Sequence, residues 1–233
     1  MDLSSLASID AAAAKILPNL SRLDILLCNA GVMDTPAGTS NDGYEIQFAT
    51  NHLGHALLIK HLLPVLEKTA RLTGDARVVS LTSQGFMLAP RGGISFDELR
   101  TTQDYWLFGG WQRYGQSKLA NILYASELAK RYPALSTTAV HPGVIITDLV
   151  NELKFLSRWI VKVTTYGTDI TPEQGCLNSV WACTAPRKDL QSGQWYEPVG
   201  ELGKHNKYSS DADLAARLWD WTQEQLKAHE NTS

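Results

Sequence analysis

Short apolar runs alternate along the chain with longer segments that have helical periodicity. Residues 23–28 read LDILLC and residues 76–83 read ARVVSLTS, and neither run alternates regularly between apolar and polar side chains. A strand of that kind is covered on both faces, as in a parallel sheet. The sequence therefore predicts an α/β fold with a doubly wound parallel sheet and helices on both faces.

Helical periodicity fills the intervals between the runs. Residues 4–17 carry apolar side chains at helical spacing, with candidate caps at Ser4 and Ser5 and a stop at Pro18, and are predicted to form an amphipathic helix. Because the chain shows no internal repeat and no linker, residues 1–233 are interpreted as a single domain. Further helices are predicted over residues 43–69, 112–131, 172–184 and 211–228, and further strands over residues 136–143 and 193–199.

The composition excludes one large class of partner. The 233 residues are 44% hydrophobic and 19% charged, with a formal net charge of −3 and no basic run. Such a chain has no means of neutralising a phosphate backbone, so we expect no nucleic-acid partner. Small molecules and proteins remain as partners.

Cysteine spacing and hydropathy indicate the compartment. Cys28, Cys176 and Cys183 show no Cys-x-x-Cys spacing, so we expect buried thiols in a reducing environment. The histidines of the helix predicted over residues 43–69 lack metal-ligand spacing and are interpreted as packing or surface residues. The richest apolar stretch, residues 55–66, is interrupted by charged residues and a proline, and no leader is seen. The sequence predicts a cytoplasmic protein without stable membrane insertion.

Small polar residues and glycines follow three of the predicted strands. The segments are Asn29-Ala30-Gly31, Ser83-Gln84-Gly85 and His141-Pro142-Gly143. In sheets of this type, ligands bind beyond the carboxyl ends of the strands. Glycine lets the backbone approach a ligand closely, and short polar side chains offer hydrogen bonds. These three strand ends predict a ligand site at one edge of the sheet.

A tyrosine and a lysine lie one helical turn apart in QRYGQSK, residues 112–118. Tyr114 and Lys118 share one face of the predicted helix, so both can reach one ligand. A free phenol has a pKa of about 10, and a nearby cation lowers such a pKa by roughly 1–3 units in a partly dry site. We therefore expect Lys118 to lower the pKa of Tyr114 and make it a general acid or base. Because this spacing also occurs by chance, the interpretation depends on the surrounding motifs.

Five motifs occur in a fixed order along the chain, and together they carry a resemblance. They are Asn29-Ala30-Gly31, Asn51 in NHLG, Ser83 closing VVSLTS, Tyr114-x-x-Ser117-Lys118, and Pro142-Gly143-x-x-x-Thr147. In this order the chain resembles the short-chain dehydrogenase/reductases over essentially residues 2–200. The segments YGQSKLAN and HPGVIITDL are most similar to the retinol-dehydrogenase-like and WW-domain-oxidoreductase-like branch. The resemblance implies a Rossmann-like fold and an NAD(P)-dependent oxidoreductase.

The resemblance also implies roles for individual residues. Tyr114 would be the acid/base, Ser83 would hydrogen-bond the substrate oxygen, and Lys118 would also hold the nicotinamide ribose. Asn51 would anchor a water that relays protons to the lysine. Contacts with the cofactor are implied for Asp2, Asn29, Tyr114, Lys118, Ile145 and Thr147.

The glycine-rich turn of the family's dinucleotide site has no counterpart in this sequence. No Gly-x-x-x-Gly-x-Gly pattern is present, and in the family a pair like Asp2-Leu3 follows the third strand and borders the adenine pocket. The resemblance therefore implies a sheet that lacks the first two βα units, shortened on its N-terminal side, with LDILLC as an exposed apolar edge. The residue that selects the cofactor belongs to those units, so NADP or NAD is expected.

Aromatic residues beside Tyr114 indicate an apolar substrate. Trp106, Phe108 and Trp111 come from a glycine-containing loop and are interpreted as walls of a substrate pocket, with core aromatics as the alternative. Residues 149–163 match the family's variable lid, with docking to a membrane surface as the weaker alternative. We expect a small hydrophobic alcohol or carbonyl as substrate. The resemblance also suggests a possible homo-oligomer.

Two hypotheses of different classes follow. The first is a dehydrogenase/reductase in which Tyr114 exchanges the hydroxyl proton and Ser83 positions the oxygen. The second is a shortened homologue without a cofactor, which is either inactive or a non-redox acid–base catalyst such as an isomerase or cyclase. The retained catalytic residues favour the first hypothesis, and the missing glycine-rich turn favours the second. We predict the first.

Overall fold

The computed structural model describes residues 1–145 and 169–231. Two short strands, β4 (Val144–Ile145) and β5 (Asp169–Ile170), pair in parallel with each other. The main sheet has five strands, which are β1 (Ile25–Cys28), β2 (Arg77–Leu81), β3 (Ser136–Val140), β6 (Trp195–Glu197) and β7 (Glu201–Leu202). They lie in the order β1-β2-β3-β6-β7, and only β7 is antiparallel to its neighbour. The predicted parallel sheet is confirmed.

The helices agree with the predicted positions to within a few residues. In the described residues they are α1 (Leu6–Ile16), α2 (Ile46–Phe48), α3 (Gly54–Thr73), α4 (Gly109–Arg131), α5 (Pro172–Gly175), α6 (Leu177–Thr184) and α7 (Ala212–Glu230). A π-helical segment, Ala49–Leu53, joins α2 to α3. The helix predicted over residues 43–69 therefore consists of three consecutive pieces. It ends at Gly74, whose φ of 81° suits a left-handed cap.

Helices cover both faces of the sheet. On one face, Val78 joins an apolar cluster with Leu57 of α3 and Tyr124 of α4. On the other face, Val79 packs with Ala182 of α6. Successive residues of β2 thus enter two different cores, which explains why the strand has no polar face.

Strand β1 is the edge of the main sheet, as the resemblance implies. Among the described residues it pairs only with β2. Ile25 is 40% exposed and Leu27 is 41% exposed. The prediction that LDILLC is covered on both faces is therefore wrong. The reason is the position of α6, whose Ala182 packs on Val79 and so covers the centre of that face.

Two sequence expectations about single residue types are corrected or refined. Cys28 is buried, but Cys176 is exposed and Cys183 half-buried, so the expectation of buried thiols is wrong for the last two. Cys176 precedes the first turn of α6, and its thiol contacts the Glu173 carbonyl oxygen at 3.1 Å. His61 pairs at the surface with a carboxylate of α1. None of the described helices is both long enough and apolar enough to cross a bilayer.

Candidate active site

Helix α4 is attached to the carboxyl end of β2 by three hydrogen bonds. The Thr82 hydroxyl donates to the Lys118 carbonyl oxygen at 2.8 Å, and Asn121 Nδ2 donates to the Leu81 carbonyl oxygen at 2.9 Å. Lys118 Nζ donates to the same Leu81 oxygen at 3.2 Å. These bonds fix the N-terminal half of α4, and with it Tyr114, beyond the strand end where ligands bind in sheets of this class.

Ser83 and Gly85 meet Tyr114 just past this strand end. The Ser83 hydroxyl accepts a hydrogen bond from the Gly85 N–H at 3.1 Å. A methyl carbon at Gly85 would lie 2.9 Å from Cε1 of Tyr114 and 3.3 Å from Ser83 Oγ, so there is room only for glycine. Lys118 Nζ lies 5.6 Å from the centre of the Tyr114 ring. The structure thus brings together three of the four residues with predicted catalytic roles.

Burial governs the ionisation of the two groups on α4. Burial raises the pKa of Tyr114, and the hydrogen bond with Ser83 opposes this increase. Burial also lowers the pKa of Lys118 to about 8. The expectation that Lys118 lowers the pKa of Tyr114 below its ordinary value is therefore wrong. Loss of solvation disfavours the phenolate form of Tyr114, and it also disfavours the charged form of Lys118.

Asn51 holds the loop that follows β1. Its side chain is buried in the π-helical segment, where Oδ1 accepts from the Val32 N–H at 2.8 Å. Its Nδ2 donates to the Val32 carbonyl oxygen at 2.8 Å and to the Ser117 hydroxyl at 2.9 Å. The Ser117 hydroxyl donates in turn to the Tyr114 carbonyl oxygen at 2.8 Å. The Asn51 amide therefore ties the loop to α4, and the water relay to Lys118 stays a prediction.

Three histidines near the site are buried and neutral at physiological pH. Burial lowers the pKa of His52 to about 3 and those of His55 and His141 to about 4. The Lys118 charge contributes to the low pKa of His141, whose buried Nδ1 has no hydrogen-bond partner among the described residues. Within residues 1–145 and 169–231, no group of His, Cys, Asp and Glu side chains is arranged to hold a metal ion. His52 and His55 are packing residues, as predicted.

The remaining predicted cofactor contacts fall on four residues outside the cluster of Ser83, Gly85, Tyr114 and Lys118 described above. Asp2 is exposed, and its carboxylate accepts from the N–H and the hydroxyl of the serine two positions on, each at 2.8 Å. Asn29 is exposed at the carboxyl end of β1. Ile145 belongs to β4, and Thr147 and the predicted lid over residues 149–163 lie outside the described residues. Their roles remain predictions.

Of the three aromatic residues assigned to a substrate pocket, one lies against Tyr114. The Trp111 ring meets the Tyr114 ring edge-on, with ring centres 6.4 Å apart. Trp106 is 96% exposed and Phe108 is 57% exposed. Trp111 therefore borders the site, and the other two lie on the surface near the start of α4.

The structure adds residues that the sequence analysis did not single out. Glu45 and Arg113 form a buried ion pair immediately before Tyr114 on α4. Ser117 and Gly85 contact the tyrosine from two sides. The segment QRYGQSK indicates only that Arg113 has a partner, because a charged residue on a buried helix needs a buried partner.

Relatives with curated names match nearly the whole chain, although no family model matches it. The chain is 38% identical to a protein named short-chain dehydrogenase/reductase drtF of Aspergillus calidoustus, over 99% of the chain and 76% of that protein. It is 34% identical to an uncharacterized oxidoreductase of Schizosaccharomyces pombe, over 91% of the chain and 64% of that protein. It is 34% identical to retinol dehydrogenase 14 of Homo sapiens, over 94% of the chain and 63% of that protein. The chain thus spans 63% to 76% of the length of these relatives.

Solved structures share the fold. A putative uncharacterized protein from Mycobacterium paratuberculosis superposes with a TM-score of 0.71 at 29% identity, over 97% of this chain and 74% of that one. The NADPH-bound carbonyl reductase from chicken fatty liver superposes with a TM-score of 0.59 at 24% identity, over 88% of this chain and 75% of that one. The second likeness concerns the fold alone.

The Gly85→Ala substitution tests the packing of Ser83 against Tyr114. The added methyl carbon has to displace the tyrosine ring, so we expect the free energy of unfolding to fall by about 1–3 kcal/mol, as for other overpacked sites. Urea unfolding measures the change. Gly38→Ala is the matched control, because its nearest neighbouring atom would be 3.9 Å away and neither glycine has a positive φ. Equal stability of the two variants would contradict the packing described above.

Proposed function

The chain belongs to the short-chain dehydrogenase/reductase family, and from this membership we propose that it is an NAD(P)-dependent oxidoreductase. It interconverts a hydrophobic alcohol and its carbonyl, with Tyr114 as the acid/base. The observation that carries the proposal is the arrangement of Ser83, Tyr114 and Lys118 around the carboxyl end of β2. A phenol, a hydroxyl and an ammonium group at one partly dry strand end suit proton exchange with a bound alcohol.

The residues around Lys118 fit the nicotinamide end of such a cofactor. A methyl carbon at Gly31 would lie 2.9 Å from Asn51 Oδ1 and 3.3 Å from Lys118 Nζ, so the backbone beyond β1 comes close to the ammonium group. An ammonium group with three donors can bind the hydroxyls of a ribose. The sequence contains no glycine-rich turn for the pyrophosphate. The residues around Lys118 therefore fit only the nicotinamide and its ribose. The proposed cofactor is NADP or NAD.

The chain's own residues would handle the substrate oxygen and its proton. A bound nicotinamide supplies the hydride exchange with the substrate carbon. The Tyr114 phenolate takes the hydroxyl proton when the alcohol is oxidised, and the Tyr114 phenol returns it when the carbonyl is reduced. In the free protein, the hydrogen bond from Ser83 opposes the increase in the pKa of Tyr114. With substrate bound, the single hydrogen of the Ser83 hydroxyl is donated to the substrate oxygen instead. Lys118 holds the ribose hydroxyls and presents a positive charge beside the ring.

An aromatic side chain at the site and two more near it support the proposed substrate class. Trp111 packs against Tyr114, and Trp106 and Phe108 lie exposed in the loop before it. A relative is named retinol dehydrogenase 14, and its named substrate is a bulky apolar alcohol. These observations support a small hydrophobic alcohol or carbonyl as the substrate. A cytoplasmic location and a homo-oligomer belong to the same proposal.

One observation favours a second candidate function. The sequence contains no glycine-rich turn of the family's pattern. Under this alternative the chain binds no dinucleotide and is either inactive or uses Tyr114 and Lys118 for non-redox acid–base catalysis, as an isomerase or cyclase. The two candidates differ in one measurable property, which is the affinity for NADPH and NADH.

The Tyr114→Phe substitution tests the acid/base role. It removes only the hydroxyl that exchanges the proton, so we expect kcat for reduction of retinal or decanal with NADPH to fall roughly 100-fold or more. Cofactor binding and unfolding midpoint should change little. Tyr132→Phe is the control, because Tyr132 caps the opposite end of α4. Retention of turnover by the Tyr114→Phe protein would remove the tyrosine from the mechanism.

Calorimetric titration with NADPH and with NADH separates the two candidate functions. We expect saturable binding of at least one cofactor, weakened several-fold by Lys118→Met because the ribose loses its ammonium donor. Lys130→Met is the control, since Lys130 lies at the far end of α4 and pairs with Glu127. Absence of binding at about millimolar cofactor would contradict the proposed function and favour the cofactor-free alternative.

A further inference from the structure

A buried ion pair lies immediately before Tyr114. Arg113 is 3% exposed and Glu45 is fully buried, with Arg113 Nε 3.1 Å from Glu45 Oε1. The two atoms do not form a directed hydrogen bond, so the contact is an attraction between charges. Burial raises the pKa of Glu45, against the hydrogen bonds from the backbone of α2 and the charge of Arg113.

The two side chains join three separate segments of the chain. Arg113 Nη2 donates to the Thr35 carbonyl oxygen at 2.7 Å, in the loop after β1, and Nη1 donates to the Gln103 carbonyl oxygen at 3.0 Å, in the loop before α4. Glu45 Oε2 accepts from the Phe48 N–H at 2.6 Å and so caps α2. One ion pair therefore fixes the first turns of α2 and α4 and the loop beyond β1 relative to one another.

A second set of bonds holds the same loop and the same helix on the other side of Tyr114. Asn51 bonds both Val32 and Ser117, and Ser117 lies one turn after Arg113. The loop from Gly31 to Thr35 is thus held at Val32 by Asn51 and at its end by Arg113. The tyrosine lies between the two anchored residues of α4. Any rotation of this helical turn has to break one set of bonds.

Stability alone is a poor explanation for the pair. Burial of two charges costs free energy that their attraction often fails to recover, and apolar replacements of similar size are commonly as stable. The surrounding network is also incompletely satisfied, since Gln47 Oε1 and Gln103 Nε2 have no hydrogen-bond partner among the described residues. Unlike apolar packing, the pair fixes the direction of the Arg113 guanidinium group. It thereby fixes the orientation of α4 about its own axis.

We propose that Glu45 and Arg113 are positioning residues, which hold the Tyr114 hydroxyl at the distance from Ser83 and Lys118 that proton transfer requires. This inference rests on the proposed function. Gly85 packs against the Tyr114 ring from the Ser83 side, so a small rotation of the first turns of α4 changes the contact between the two hydroxyls. Misplacement of a catalytic group by about 1 Å can lower the rate up to about 100-fold.

The test compares Glu45→Gln with Glu127→Gln. Both substitutions remove a buried carboxylate from an ion pair, and Glu127 is the matched control because its partners Lys130 and Arg131 lie at the far end of α4. The ionisation of Tyr114 is followed by fluorine NMR of protein labelled with 3-fluorotyrosine, and its resonance is assigned with Tyr114→Phe. This readout needs no cofactor. The kinetic constants for retinal reduction with NADPH form the second readout.

We expect Glu45→Gln to move the ionisation of Tyr114 to higher pH, because the Ser83 hydrogen bond that lowers the pKa of the tyrosine is weakened. We expect kcat to fall about 10-fold with KM nearly unchanged, and Glu127→Gln to leave both readouts at the wild-type values. Wild-type ionisation and kcat in Glu45→Gln would overturn the proposal, whatever happens to stability.

Two further outcomes keep the test decisive. If Glu45→Gln does not fold, Arg113→Lys replaces it, since lysine keeps the charge but loses the two fixed carbonyl contacts. Loss of the native circular dichroism in both variants would overturn the proposal in favour of a purely structural role. If the wild-type protein shows no turnover, the proposed function fails, and the ionisation of Tyr114 alone decides whether Glu45 positions it.

Discussion

Three hydrogen bonds between α4 and the carboxyl end of β2 determine where the side chains of the site lie. The side chains of Asn121 and Lys118 both donate to the Leu81 carbonyl oxygen. The Lys118 carbonyl oxygen also accepts the bond from Thr82. Lys118 is therefore part of the scaffold as well as a candidate functional group. Because the strand end and the helix are locked together, the tyrosine one turn earlier has a defined position relative to the strand.

Burial, rather than the neighbouring cation, determines the charge of the groups at this strand end. It raises the pKa of Tyr114 and lowers those of Lys118 and His141 to about 8 and about 4. A neutral phenol and a readily deprotonated ammonium group are stable together in such surroundings. In the proposed reaction, the bound substrate and cofactor would change this balance by bringing polar groups to the strand end. The hydrogen bond from the Ser83 hydroxyl favours the phenolate form of Tyr114.

The sequence predicts those parts of the molecule that depend on local pattern. Apolar runs such as ARVVSLTS and helical periodicity are short-range signals, and they predict the parallel sheet and the helices that cover it. The convergence of Ser83, Tyr114 and Lys118 is predictable for the same reason, because strand ends and helix faces follow from these elements. The exposed edge at β1 was predicted from the resemblance rather than from the pattern of the strand.

Features that depend on long-range packing were not predictable from the pattern. The partner of Arg113 is Glu45, 68 positions earlier, and nothing in the spacing links them. The direction of the Tyr114 pKa depends on how much solvent the fold removes, which no motif encodes. Cys176 is exposed because it precedes α6 instead of lying on its buried face.

In the proposed reaction, a hydride and a proton are exchanged with an apolar substrate at the end of β2. Mass spectrometry of the product formed from retinal or decanal with NADPH deuterated at nicotinamide C4 tests it most directly. We expect one deuterium on the carbinol carbon of the alcohol formed by the wild-type protein, and roughly 100-fold or more slower formation of this alcohol by Tyr114→Phe. Absence of deuterated alcohol with either prochiral label and with both aldehydes, from protein that is correctly folded, would contradict it.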